Sequence, residues 1–150
     1  MAKKTAAKAE REETIVQAQY PYEDARGRLD YHVLSEPVTW IGTITTKKGS
    51  IRANHYHPEQ EQKLLLVSGR CISVYKDLLD PGTPIKHHLV KAGELVVTAP
   101  NVAHAVVYIE DCIQINLVHG ERVPDNYGKH TIRYELVKPE EFGKYASLYP

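Results

Sequence analysis

Cysteine, phenylalanine, tryptophan and methionine are scarce in this sequence, and neither sign of charge is in excess. The chain has two cysteines, and two thiols do not provide the disulfide framework of a small secreted domain. Cys71 and Cys112 both lie in apolar strand patterns, which are typical of small buried side chains. Lysine plus arginine and aspartate plus glutamate each number 19. This balance excludes a strong overall field, so we expect no nucleic-acid partner and no membrane partner.

Long apolar runs are also missing. No segment approaches the roughly 20 apolar residues that a membrane-spanning helix needs, and the N-terminus lacks the apolar centre of a secretory signal. These absences predict a cytoplasmic protein. Residues 1–19 are rich in alanine, lysine and glutamate, so we expect an N-terminal arm that is helical or disordered. Residues 20–150 suffice for one domain with a sizeable core.

Short β-branched and apolar segments, separated by turn residues, fill most of the remaining chain. Their spacing, without a convincing helix between them, predicts an all-β sandwich or barrel. A short helix is predicted only near the C-terminus, over residues 139–145. The predicted strands cover residues 30–34, 38–46, 51–55, 62–67, 71–75, 85–90, 94–98, 103–109, 112–118 and 131–137.

The centre of the sequence is a pair of histidines, His55 and His57, at the end of a predicted strand. Alternate side chains of a strand share a face, so the two imidazoles point the same way. In the next strand Lys63 starts the face that we expect to meet solvent, which directs Gln62 inward. The histidines then converge on one metal ion or one substrate. The alternative is that both lie on a solvated face.

Two spaced motifs in this region resemble those of the cupin superfamily. The first has glutamine where the cupin pattern usually has glutamate, and the second follows it in the expected order. The resemblance covers about residues 40–119 and implies a single-domain cupin, a double-stranded β-helix or jelly-roll barrel. The motif positions are Gly49, His55, His57, Gln62 and Gly69, followed by Gly93, Pro100 and His104.

Residues 52–57 and 100–104 narrow the resemblance. They are similar to segments of sugar-nucleotide 3,5-epimerases and of the cupin domain fused to capsule-sugar reductases. This likeness implies an isomerase or epimerase that acts on a keto-sugar nucleotide, and a homodimer. Two other functions stay open, because one fold supports many activities. One is a metal-dependent dioxygenase or other small-molecule metalloenzyme, and the other is a non-catalytic cupin that binds a sugar or an effector.

The resemblance also implies a metal site. His55, His57, Gln62 and His104 occupy the positions of the metal ligands in metal-binding cupins. Three imidazoles and one oxygen suit a divalent ion such as zinc, iron, nickel or manganese. The neutral amide of Gln62 offers less charge than a carboxylate, so a metal-free pocket that binds substrate through the same residues is the alternative. We expect no organic cofactor.

Proton transfer next to a ketone needs a base and an acid. By the resemblance His55 is the base, and His104 is included among the catalytic residues. Tyr127 is the predicted acid, with Tyr134 behind it as a substrate-binding residue alongside Gln62. Arg52 would also contact the substrate, although a regular strand directs it away from His55. A metal bound to His55 would prevent that residue from acting as the base.

Overall fold

The computed structural model describes residues 12–150, and two five-stranded sheets make up most of this part of the chain. Short helical segments follow the last long strand, at Pro124–Asn126, Tyr127–His130, Pro139–Glu141 and Phe142–Ala146. The strands are β1 Glu13–Val16, β2 Gln19–Asp24, β3 Gly27–Tyr31, β4 Trp40–Thr46, β5 Ile51–Tyr56, β6 Gln62–Ser68, β7 Arg70–Asp77, β8 Lys86–Lys91, β9 Leu95–Thr98, β10 Val102–Tyr108, β11 Cys112–Val118 and β12 Ile132–Arg133.

The two sheets are antiparallel. The first has the order β1-β9-β6-β11-β4, and the second has the order β12-β5-β10-β7-β8. From β4 to β12 the chain passes from one sheet to the other after each strand, except between β7 and β8, which pair in the second sheet, as in a jelly-roll barrel. Strands β2 and β3 form a separate two-stranded hairpin. The predicted all-β barrel is confirmed.

The second sheet is apolar on both faces, because alternate side chains of its strands point to opposite sides. The cluster around Leu66 lies between the two sheets, whereas the cluster around Ile72, Val74 and Val107 lies on the other face of the second sheet, under the C-terminal segment. Strand β10 is buried along its whole length. It runs through the middle of the second sheet, so the residues that it carries are held rigidly.

The prediction for the N-terminal arm is partly wrong. Residues 1–11 lie outside the described part of the chain, but Glu13–Val16 form an edge strand rather than a helix or disorder. The buried carboxylate of Glu13 accepts hydrogen bonds from His88 Nε2 at 2.8 Å and Thr98 Oγ1 at 2.8 Å. These long-range partners override the local helical composition. The division of the chain at residue 19 otherwise stays a prediction.

The C-terminal helix is confirmed by Phe142–Ala146, whereas the strand predicted over residues 131–137 is reduced to Ile132–Arg133. The residues beyond this short strand leave the sheet and pack over its end. Among the described residues, no helix is long and apolar enough to cross a membrane.

Lys63 also differs from its prediction. It is buried rather than exposed, because Glu36 and Glu61 close over its ammonium group at 2.5 and 3.3 Å. A buried ammonium needs such partners, since desolvation of an unpaired charge is costly. Gln62 is buried on the opposite face, as predicted.

Candidate active site and metal centre

A bulge in strand β5 determines which side chains enter the barrel. Ala53 and Asn54 have φ values of 66° and 54°, in the left-handed region. The pairing with β10 skips Asn54: His55 opposes His104, and Ala53 opposes the next residue along. The extra residue reverses the alternation of the strand. Arg52 and His55 therefore line the same pocket, which a regular strand does not allow.

The Asn54 side chain holds this bulge in place. Its Nδ2 donates to the Val137 carbonyl oxygen at 2.9 Å, and its Oδ1 accepts from the backbone N–H groups of Leu136 and Val137, each at 3.0 Å. The Asn54 carbonyl oxygen accepts from the Tyr134 N–H at 2.8 Å. Asparagine tolerates the left-handed region better than most residues. The bulge and the C-terminal segment therefore fix each other.

The bulge brings three imidazoles together in what we call the histidine centre: His55, His57 and His104. One nitrogen from each lies within 4.8 Å of the others. The ring of His55 lies 4.7 Å from each of the other two rings, measured between centroids. His57 and His104 are 2% exposed. His55 lies near the end of β5, His57 directly follows that strand and His104 lies on β10, so both sequence motifs meet here.

Hydrogen bonds hold the outer nitrogens of the two buried rings. His104 Nδ1 donates to the Val102 carbonyl oxygen at 3.1 Å; a carbonyl oxygen only accepts, so this Nδ1 carries the hydrogen and His104 Nε2 keeps its lone pair. His57 Nδ1 lies 2.9 Å from the His130 carbonyl oxygen and 3.1 Å from the Thr131 hydroxyl. Such support of the outer nitrogen is the usual arrangement behind metal-bound histidines.

The inner nitrogens are left without partners. His55 Nε2 and His104 Nε2 are buried, and no described residue forms a hydrogen bond with them. Buried polar atoms are normally paired, so unpaired lone pairs that face a common space indicate a ligand. The donor set therefore fits a divalent metal ion, with three imidazoles supplied by the histidine centre.

Burial keeps these imidazoles neutral. It lowers the pKa of His55 from 6.5 to about 3 and that of His57 to about 4, and it places the pKa of His104 well below 6.5. The charge of Arg122 and repulsion between the rings add to the effect. Neutral imidazole is the form that binds a metal, so the site is ready for one at neutral pH.

Gln62 completes the donor set. Its amide oxygen lies 2.5 Å from His57 Nε2. Two arrangements satisfy this contact: Nε2–H donates to the amide oxygen while Nδ1 accepts from the Thr131 hydroxyl at 3.1 Å, or Nδ1 carries the hydrogen and the amide is rotated so that its NH₂ group faces the ring. Gln62 thus lies at the histidine centre, and its role as a ligand stays a prediction.

The histidine centre opens into a cavity of about 330 Å³, which we call the main pocket. Tyr127, which is half-exposed, lies at this pocket with its hydroxyl 3.3 Å from His55 Nδ1. The structure thus brings Tyr127 to the histidine that was paired with it from sequence. Tyr134 is not among the residues that line the pocket, because its ring packs against the core cluster around Ile72. The substrate contact of Tyr134 stays a prediction.

Two pocket residues were missed by the sequence analysis. Arg122 follows β11, and its Nη2 is buried without a hydrogen-bond partner among the described residues. Asn116 lies on β11, and its Oδ1 is buried and unpartnered in the same way. Neither residue belongs to a motif. The only indication in the sequence was the presence of a polar residue within or just after an apolar strand.

We compared the chain with known protein families, curated sequences and solved structures. A family model described as "JmjC domain, hydroxylase" matches residues 18–118. The chain belongs to the JmjC domain family. The matched part of this JmjC domain includes the whole histidine centre but ends before Arg122 and Tyr127. No curated protein sequence matches the chain.

Solved structures resemble the JmjC domain throughout its length. A 3,4-ketoisomerase from Helicobacter canadensis is 20% identical, with a TM-score of 0.68 over 90% of this chain and 97% of that one. A sugar 3,4-ketoisomerase from Thermoanaerobacterium thermosaccharolyticum, in complex with TDP, is 15% identical, with a TM-score of 0.68 over 91% and 95%.

A third similar structure is the dTDP-4-dehydrorhamnose 3,5-epimerase from Sulfolobus tokodaii. It is 20% identical, with a TM-score of 0.66 over 85% of this chain and 82% of that one. At these identities the likeness is one of fold. The cupin resemblance and the jelly-roll fold are confirmed.

Proposed function

We propose that this protein is an isomerase or epimerase of a keto-sugar nucleotide, and that His55 and Tyr127 move the substrate proton. The observation that carries the proposal is the 3.3 Å separation of Tyr127 Oη and His55 Nδ1 beside the main pocket. Proton transfer next to a ketone requires a base and an acid that both reach the substrate, and His55 and Tyr127 line the same pocket. The fold shared with sugar 3,4-ketoisomerases and a 3,5-epimerase supports the same reaction class.

His55 is neutral at physiological pH because burial lowers its pKa to about 3. A neutral imidazole has a lone pair with which to accept a proton. A group with so low a pKa is, however, a weak base, since efficient general bases have pKa values near the working pH. The reaction then depends on a group that acidifies the substrate C–H bond by drawing electrons towards the carbonyl oxygen.

A divalent ion in the histidine centre is one such group. His55, His57 and His104 would hold it, with the amide oxygen of Gln62 as a further ligand, and zinc, iron, nickel and manganese all suit these donors. When bound, the ion supplies Lewis acidity towards a substrate oxygen. The fit rests on the unpaired Nε2 atoms of His55 and His104. Metal analysis of the purified protein by mass spectrometry tests it.

The deciding experiment measures solvent-deuterium incorporation. The protein is incubated in D₂O with a panel of TDP-linked 4-keto-6-deoxy sugars, and exchange at the carbons next to the ketone is followed by NMR. We expect the Tyr127→Phe variant to lose about 10²- to 10⁴-fold in rate, because it lacks the hydroxyl proton. Tyr149→Phe is the matched control and should exchange at the wild-type rate, because the Tyr149 hydroxyl also contacts a histidine, His87 Nδ1 at 3.1 Å, but away from the main pocket. No exchange of any substrate by the wild-type protein would contradict the proposal.

A metal-dependent oxygenase is the second candidate. It is favoured by the match to a JmjC domain described as a hydroxylase, which contains the three histidines. Oxygen uptake that requires both Fe(II) and an organic substrate, and that stops with a chelator, would support this function. A protein that gains thermal stability with a sugar nucleotide but catalyses neither reaction would be a binding module.

We also propose that the protein is a homodimer. Large apolar side chains are exposed on the β2–β3 hairpin and on the edge strand β4, including Tyr22, Leu29, Trp40 and Ile41. Apolar residues on an unpaired sheet edge suit pairing with a second copy of the chain. Light scattering during size-exclusion chromatography measures the mass, and Ile41→Lys should shift a dimer towards monomer. A monomeric wild-type protein would contradict this part of the proposal.

A further inference from the structure

Arg122 carries a positive charge that the described structure does not balance. Its Nη2 is buried and has no hydrogen-bond partner, and no carboxylate of the described residues forms an ion pair with it. Burial lowers its pKa, which reflects the cost of holding the charge there. An unpaired guanidinium nitrogen that faces a pocket is suited to an anion.

The second arginine of the main pocket is already engaged. Arg52 Nε donates to Thr46 Oγ1 at 2.8 Å, and its Nη2 donates to the Thr45 carbonyl oxygen at 3.4 Å. These contacts tie Arg52 to strand β4. Arg122, whose Nη2 has no partner among the described residues, is therefore the better candidate for a charged contact with the substrate beside the histidine centre.

The chain around Arg122 holds its guanidinium in position. Gln60 Oε1 accepts from Arg122 Nε at 2.5 Å, while Gln60 Nε2 donates to the Glu121 carbonyl oxygen at 3.1 Å. Gly120 precedes this pair with φ of +115°, and a Cβ at that position would lie 2.7 Å from Gln60 Nε2. The positive φ favours glycine, and a Cβ here would push the end of the Gln60 side chain away from its present position. The loop thus orients Arg122 before any ligand binds.

Arg122 lies next to the histidine centre. Its Nη1 is 3.5 Å from Gln62 Oε1, the atom that lies 2.5 Å from His57 Nε2. One amide oxygen therefore separates the guanidinium from the imidazoles. An anion bound by this guanidinium would therefore lie beside the histidine centre, where the proposed proton transfer takes place.

We infer that Arg122 binds the oxyanion that forms on the substrate carbonyl during proton transfer. This inference rests on the proposed function. As the C–H bond next to the ketone breaks, the proton goes to the base, its electron pair forms a carbon–carbon double bond, and the carbonyl π electrons move to oxygen. The enolate oxygen carries the negative charge and accepts from Arg122 Nη2. Return of the proton to carbon restores the ketone, so no oxidant or reductant is needed.

The variants Arg122→Gln and Arg122→Lys test this role, with Arg133→Gln as the control. Arg133 is an exposed arginine on the strand next to His55, so its loss removes a charge near the site without reaching the pocket. We expect Arg122→Gln to lower kcat for deuterium exchange by about 10²- to 10³-fold, as for the loss of one oxyanion donor, with a smaller change in KM. The kcat of Arg122→Lys should lie between those of Arg122→Gln and Arg133→Gln, because lysine keeps the charge but loses the guanidinium geometry. Equal kcat in Arg122→Gln and Arg133→Gln would overturn the inference.

A binding measurement separates this inference from the proposed function. Oxalate is a planar dianion that resembles an enediolate, and its Kd is measured by calorimetry for the same variants. We expect Arg122→Gln to bind oxalate at least about tenfold more weakly than the wild type and Arg133→Gln. If no sugar nucleotide exchanges deuterium but oxalate binding depends on Arg122, the reaction is wrong and the oxyanion site stands. If Arg122→Gln binds oxalate as tightly as the control, the oxyanion site is wrong.

Discussion

Removal of the Asn54 side chain should lower the free energy of unfolding by several kcal/mol, although Asn54 is only half-buried. The side chain makes three hydrogen bonds to backbone groups of residues 136 and 137. At about 1 kcal/mol each, their loss lowers the free energy of unfolding by about 3 kcal/mol. Alanine keeps the Cβ that asparagine already has in the left-handed region, whereas glycine removes it and relieves about 1 kcal/mol of backbone strain. We therefore expect a loss of about 3 kcal/mol for Asn54→Ala and about 2 kcal/mol for Asn54→Gly.

Urea denaturation measures these losses directly. Asn101→Ala provides an internal reference, because Asn101 also has a positive φ, of 63°, but its side chain makes one hydrogen bond, to the Pro58 carbonyl oxygen at 3.2 Å. Asn54→Ala should cost about 2 kcal/mol more than Asn101→Ala, which is the difference of two hydrogen bonds. An Asn54→Gly protein that is more stable than the wild type would refute the reasoning, since backbone strain would then outweigh the hydrogen bonds.

Three further outcomes follow from the site. His57→Ala should remove the divalent metal found by mass spectrometry in the wild-type protein, whereas His87→Ala, on the outer strand β8, should retain it. The metal-free protein should lose stability as the pH falls from 7 towards 4, by about 1.4 kcal/mol per pH unit for each buried imidazole. Folding lowers the pKa of His57 from 6.5 to about 4, so the unfolded chain binds protons that the folded one does not. A free energy of unfolding that stays constant between pH 7 and pH 4, measured by urea denaturation, would contradict this prediction. Gly120→Ala should lower exchange activity by displacing the Gln60 clamp, while Gly128→Ala, which meets no heavy atom within 4 Å, should not.

The convergence of the ligand positions was predictable because it depends on local rules. The period of two in a strand places His55 and His57 together, and the cupin spacing places Gln62 and His104 beside them. The structure confirms that these four side chains meet, although their roles stay predictions. The strands could also be predicted from the sequence, because segments rich in β-branched residues lie between turn residues.

Other features depended on contacts between distant parts of the chain. The bulge at Ala53 and Asn54 is fixed by residues 136 and 137, so periodicity alone placed Arg52 on the wrong face. The composition near Glu13 suggested a helix, but its carboxylate pairs with His88, 75 residues away. Lys63 began a polar face by pattern and is buried because Glu36 covers it. In each case a tertiary partner outweighed local preference.

The two nitrogens of His55 allow the competing roles of this residue to be separated. Its Nε2 faces the histidine centre without a partner, and its Nδ1 lies 3.3 Å from the Tyr127 hydroxyl. If Nε2 is committed to a metal, Nδ1 carries the hydrogen and donates to the Tyr127 oxygen, and Tyr127 alone is left to exchange a proton with the substrate. If Nε2 is free, His55 and Tyr127 serve as separate base and acid. Tyr127→Phe then stops the reaction in both cases. His55→Gln distinguishes them, because it lowers metal content together with activity in the first case and activity alone in the second.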